Sequence, residues 1–227
     1  MTTEPRPPIQ PGEPAPAFTL PAVNRDGTVS LEDFRGKSPV LVGLFRGLHC
    51  PFCRRQIVQL SATQDKLKSL GVETMAVVNT PQERARLYFK YRPARVLLAA
   101  DPEATAQRAF RVPEIEVVED PAASSSWPLR ATMQQVAEVR VNPTGELPGP
   151  TPIFEAMETL NAKDAFEVTE VDKQIAAVHG MRGVGHFLID RQGIVRWTHL
   201  EGGEGLGSLA KLPAEAEIIE AARSLAR

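Results

Sequence analysis

Cysteine and aromatic residues are scarce: 227 residues carry two cysteines and 6% aromatics. Cys50 and Cys53 are three positions apart, too close to close the long loops of a secreted disulfide scaffold, so the pair needs another explanation. No stretch approaches the ~20 apolar residues that span a bilayer. The start, Met1-Thr2-Thr3-Glu4-Pro5-Arg6, lacks the basic segment and apolar run of a secretory signal, so a cytoplasmic address is expected. A formal net charge of −2 supplies no field that would draw nucleic acid or an anionic membrane. Small molecules and proteins are the expected partners.

What is present suits a globular chain: 42% hydrophobic and 24% charged residues allow a substantial core. The twenty prolines concentrate in the first 21 residues and between Pro113 and Pro152. This pattern predicts a proline-rich leader over 1–16 and a single domain over 17–227, interrupted by an irregular insertion at about 112–165 with one or two short helices.

Elsewhere the elements are readable. Short strand-like runs flank the Asp26-Gly27 turn signal, which predicts an N-terminal hairpin. Val40 to Phe45 is an unbroken apolar run, suited to a strand buried on both faces. From Pro51 to Leu70, the residues Ile57, Leu60, Leu67 and Leu70 recur at helical spacing, and Gly71 follows as a stop. A strand (Val72 to Val78), a helix (Gln82 to Tyr91), a strand (Val96 to Ala100) and a short helix (Pro102 to Phe110) then alternate, which implies crossover units and a mainly parallel sheet. A strand hairpin from His186 to His199 and a closing helix from about Ala214 to Ala226 complete the chain.

The cysteines fall in the first turn of the first long helix, on one face, where local adjustment can bring their sulfurs within bonding reach. So small a ring hardly constrains the unfolded chain, so a stabilising role is physically weak and a redox switch makes better sense. Unpaired N–H groups and partial positive charge at a helix start favour a thiolate, which makes Cys50 the better nucleophile. Pro51 suits the first helical position because the N–H it lacks would be unpaired there. Arg54, Arg55, Arg46 and His49 surround the pair in sequence. The arginines either favour the thiolate by their field or point into solvent, and His49 either pairs with the thiolate or moves a proton.

Three segments together resemble the peroxiredoxin-like branch of the alkyl hydroperoxide reductase and thiol-specific antioxidant family, within the thioredoxin superfamily. They are Pro11-Gly12-Glu13-Pro14-Ala15-Pro16-Ala17-Phe18-Thr19-Leu20, the passage Phe45-Arg46-Gly47-Leu48-His49-Cys50-Pro51-Phe52-Cys53-Arg54-Arg55-Gln56, and the hairpin from Gly185 to Arg196. The likeness spans about residues 9 to 111 and 180 to 226. It implies a thioredoxin-like α/β fold, a central mixed β-sheet flanked by helices, with Cys50 as attacking and Cys53 as resolving thiol. Two family hallmarks are missing. No threonine stands three residues before either cysteine, and the late-strand position that holds arginine in peroxiredoxins, or cis-proline in thioredoxins, is Val184. Arg46 and Arg182 are the candidates to supply the lost guanidinium.

The resemblance implies reduction of a small hydroperoxide through a Cys50/Cys53 dithiol–disulfide cycle, with no cofactor or metal. The reductant would be an external thiol such as thioredoxin, glutaredoxin or glutathione, and homodimers are common in the family. Cys-Pro-Phe-Cys equally resembles oxidoreductase motifs, which leaves disulfide exchange as an alternative. In a different class of function, the cysteines with His49, His186 or His199 would hold copper or zinc, or the pair would act as a redox sensor.

Overall fold

The computed structural model describes residues 6–225; the first five residues of the leader and Ala226 of the closing helix lie outside the described residues. The N-terminal hairpin pairs β1 (Thr19–Pro21) with β2 (Thr28–Ser30). Next come β3 (Val40–Phe45), α1 (Pro51–Ser69), β4 (Glu73–Val78), α2 (Gln82–Tyr91), β5 (Leu97–Ala100) and α3 (Thr105–Ala109). Each of these expected elements forms, within a few residues of its expected ends.

The insertion is more ordered than its punctuation suggests. It holds β6 (Glu116–Val117), β7 (Arg130–Ala131), α4 (Met133–Glu138), β8 (Arg140–Val141), β9 (Thr151–Pro152) and α5 (Ile153–Lys163). Beyond it lies α6 (Glu170–His179), which had not been foreseen from the sequence. Its start carries a capping box, in which the Thr169 hydroxyl accepts from the Asp172 N–H and the Asp172 carboxylate accepts from the Thr169 N–H. The chain ends with β10 (Gly185–Ile189), β11 (Val195–Leu200) and α7 (Glu215–Ser224).

Five strands make one sheet in the order β11-β10-β3-β4-β5. The β3, β4 and β5 ladders are parallel, as their helical crossovers require, and β10 runs antiparallel to both β3 and β11. The sheet is mixed and the fold is thioredoxin-like α/β. Because side chains alternate along a strand, β3 feeds two cores: Leu41 and Phe45 face one side, Val40, Val42 and Leu44 the other. The first core packs α1, α2, α7 and the insertion; the second packs the N-terminal hairpin and α3. Gly43 is required between Leu41 and Phe45, because a Cβ there would meet the Phe45 ring at 2.5 Å.

The described part of the leader is tied into this body. Ile9 and Ala15 are buried in the second core, and Gly12 and Ala15 donate to the carbonyls of Val195 and Gly193, each at 2.8 Å.

Candidate active site

The site forms where β3 ends and α1 begins. The chain turns through Arg46 to His49, with the Cys50 N–H donating to the Gly47 carbonyl and the Leu48 N–H to the Thr80 hydroxyl. Gly47 lets α6 close onto this turn, since a Cβ there would meet Ile175 Cγ2 at 2.8 Å and the Asn79 carbonyl at 2.9 Å. Cys50 is the N-cap of α1 in extended backbone, and Pro51 takes the first helical position. The cap is a sulfur: Cys50 Sγ accepts from the Cys53 N–H at 3.3 Å, and the two sulfurs lie 2.7 Å apart. The cysteines are reduced, and each is only 1% exposed.

Burial alone would raise both thiols. At Cys50 it is outweighed by the hydrogen bond from Cys53 and the charge of Arg46, which bring the thiol down to about 6. Cys53 is pushed up, by burial and by its neighbour's negative charge. The two sulfurs therefore divide into a more acidic thiol at Cys50 and a less acidic one at Cys53.

Of the candidate cations, the structure brings Arg46 to this pair. Its Nη1 donates to the Arg182 carbonyl at 2.9 Å and its Nη2 to Glu201 Oε1 at 2.8 Å. The Arg182 guanidinium instead pairs with Glu114. Arg54 and Arg55 point elsewhere. Arg54, buried, donates to Asn161 Oδ1 and to Asp164 Oδ2 at 2.6 Å and lies 4.0 Å above the Phe166 ring. Arg55 bridges Glu146 and Asp164. Arg54 Nη1 also donates to the Leu48 carbonyl at 2.5 Å and Arg55 Nη1 to the Pro51 carbonyl at 3.3 Å, so both tie the insertion to the backbone around the cysteines. His49 is buried with its Nδ1 unpartnered, and burial, together with the Arg46 charge, lowers it to about 4. It stands neutral at ordinary pH, which leaves proton transfer rather than ion pairing as its available role.

Glu201 was missed in the sequence. It follows β11, is fully buried, and is separated from Arg46 by 155 residues, so no local spacing links them; its only signal is a lone acid before two glycines at a strand end. His186 is also fully buried, edge-on to Phe45, with both ring nitrogens unpartnered. His199 bonds instead to Glu217 and to the Lys211 carbonyl. Among the described residues, no three His, Cys, Asp or Glu side chains gather as metal ligands would.

A cavity of about 150 Å³ is lined by Arg46, His49 and Phe52, which flank the cysteines in sequence, and by Ile153, Phe154 and Met157 of the insertion, while neither cysteine lines it. Side chains of the insertion thus form part of this cavity's wall, together with Ala176, Gly180 and Met181.

The model of the AhpC/TSA family matches residues 11–138, which include both cysteines and reach into the insertion. The chain belongs to the AhpC/TSA family. Solved structures agree on its fold. A reduced 2-Cys peroxiredoxin of Plasmodium vivax superposes with a TM-score of 0.56 at 17% identity, covering 95% of this chain and 81% of its own. The peroxidoxin BcpB of Mycobacterium tuberculosis gives 0.55 at 12% identity, covering 96% and 98%. A Chlorobium tepidum protein assigned as the thiol:disulfide interchange protein DsbE gives 0.51 at 20% identity, covering 96% and 98%. No curated protein matches the sequence. The cysteine pair of this AhpC/TSA chain and its family membership support a thiol–disulfide oxidoreductase. Among the described residues, no helix is long and apolar enough to cross a membrane.

Proposed function

We propose that this chain reduces a small hydroperoxide at Cys50 and regenerates through Cys53 and an external dithiol. One observation carries the reading: two sulfurs 2.7 Å apart, each 1% exposed, stand next in sequence to His49 and Phe52, which line a cavity of about 150 Å³. A peroxide is small enough to reach buried sulfurs, whereas a folded protein reaches them only once the site opens, as it must for reduction of the Cys50–Cys53 bond by an external dithiol.

The Cys50 thiolate attacks one peroxide oxygen and the O–O bond breaks. A sulfenic acid forms on Cys50, and the departing alkoxide or hydroxide takes a proton and leaves as alcohol or water. Cys53 then gives up its proton and attacks the Cys50 sulfur, closing the disulfide and releasing water. An external dithiol of the thioredoxin or glutaredoxin kind, or two glutathione molecules, reduces the bond through a mixed disulfide and is itself oxidised. Arg46 favours the anion at Cys50 in the first step, and no metal or organic cofactor enters the cycle.

Stopped-flow mixing of the reduced protein with hydrogen peroxide and with cumene hydroperoxide tests the reading, alongside Cys50→Ser and Cys53→Ser. Oxidation of the wild type well above the free-thiol rate is expected, abolished by Cys50→Ser and left at a sulfenic acid by Cys53→Ser. A wild-type rate no faster than free cysteine removes the peroxidase reading. The second reading, exchange with a small disulfide, is favoured by the Cys50-Pro51-Phe52-Cys53 sequence, which resembles oxidoreductase motifs; fast reaction with oxidised glutathione alongside slow reaction with both peroxides would select it.

A further inference from the structure

We infer that Glu201 is a positioning residue for this chemistry, its buried carboxylate holding the Arg46 guanidinium beside Cys50. The inference rests on the reading of Cys50 as nucleophile. Glu201 is 0% exposed and both its oxygens are committed. Oε1 accepts from Arg46 Nη2 at 2.8 Å and from the Ala210 N–H at 2.7 Å, while Oε2 accepts from the Val184 N–H at 2.9 Å. The Glu201 N–H in turn donates to the Val184 carbonyl at 2.9 Å, which pins the carboxylate's own backbone to the chain entering β10.

A guanidinium buried this deeply does not stay without a counter-charge, because desolvation would drive it towards water or into a different pairing. The Arg182 carbonyl is its other hydrogen-bond acceptor, and a neutral carbonyl does not replace a charge. Glu201 itself opposes a thiolate at Cys50, so its contribution is not a favourable field of its own but the fixed place it gives Arg46. The charged and titratable groups acting on Cys50 are thus Cys53 from α1, Arg46 from the end of β3 and Glu201 from the end of β11.

The test measures Cys50 alkylation by iodoacetamide against pH, with the site assigned by mass spectrometry, in Glu201→Gln, Arg46→Met and the double variant. Positioning predicts that Glu201→Gln raises the apparent Cys50 pKa, with about fivefold slower alkylation at pH 6 for the first unit of rise and little change near pH 9. It also predicts no further loss when Glu201→Gln is added to Arg46→Met, and partial recovery in Glu201→Asp. An unchanged profile in a folded Glu201→Gln protein would mean a purely structural link, and a lowered pKa would mean that the carboxylate acts only by its own charge; either overturns the inference. So does additive loss in the double variant. Should Glu201→Gln not fold, the paired apolar replacement Arg46→Met with Glu201→Met removes both charges together; Cys50 then titrates as an ordinary thiol, and a profile matching wild type overturns the inference. A wild-type Cys50 with an ordinary pKa would instead remove the reading of the nucleophile itself.

Discussion

Two arginine clusters flank the start of α1, and they do opposite jobs. At the end of β3, Arg46 turns inward, pairs with Glu201 and lends its charge to the thiols. One turn into the helix, Arg54 and Arg55 bind Asp164 and Glu146 of the insertion while also donating to the Leu48 and Pro51 carbonyls. All three lie within five residues of Cys50 along the chain, yet only one acts on it. Successive residues on a helix are turned by about 100°, so nearness in sequence does not make nearness in space. In the proposed cycle the inward cluster tunes reactivity, while the outward one fastens the insertion to α1.

The sharpest way to break this contrast is at Asp164, whose carboxylate binds both outer arginines. Asp164→Ala leaves the buried Arg54 short of its counter-charge and is expected to cost about 2–4 kcal/mol, reduced from the fully buried case because Asp164 is partly exposed. Urea unfolding checks this, with the apparent pKa of Cys50 expected to stay within a few tenths of wild type. Next in size is Arg46→Met, expected to slow Cys50 alkylation at pH 6 about tenfold or more, about 1.4 kcal/mol or more. Arg54→Met and Arg55→Met should leave that pH profile unmoved. An equal shift in either would erase the distinction between the clusters.

Acid stability extends the comparison to two buried histidines. Burial lowers His186 to about 3 and His49 to about 4, so both stay neutral in the folded chain while the unfolded chain takes up protons below about 6.5. The unfolded state then binds more protons, and stability falls as pH drops from about 6.5 towards 4, by up to about 1.4 kcal/mol per pH unit for each histidine. His186→Phe should flatten that slope by one histidine's share when unfolding is measured from pH 7 to 4; an unchanged slope would show that His186 does not contribute. The smallest expected effect is Glu146→Ala. That carboxylate sits at the outer edge of the insertion with Lys163 and Arg55, and its loss should cost at most about 1 kcal/mol in urea unfolding.

What could be read along the chain follows the range of the interactions. The hairpin at Asp26-Gly27, the buried run Val40 to Phe45, and the helix beginning at Pro51 each rest on signals within one element, and each forms as read. The one or two short helices expected in the insertion form as α4 and α5, but its short strands, held by long-range packing, gave no signal through the Pro, Ser and Gly punctuation. The capping box Thr169–Asp172 was a local signal for α6, but it followed an apparently irregular stretch and was passed over.

The sequence by itself placed two sulfurs at the head of one helix, because that arrangement depends on three-residue spacing and on a proline suited to the first turn. Only the tertiary structure decided which cation serves them, what covers them, and which acid fixes that cation. Arg46 and Glu201 meet across 155 residues because β3 and β10 pair in the sheet and β11 folds back on β10. A buried charge takes its partner from the strands the fold sets beside it, not from its neighbours in the chain.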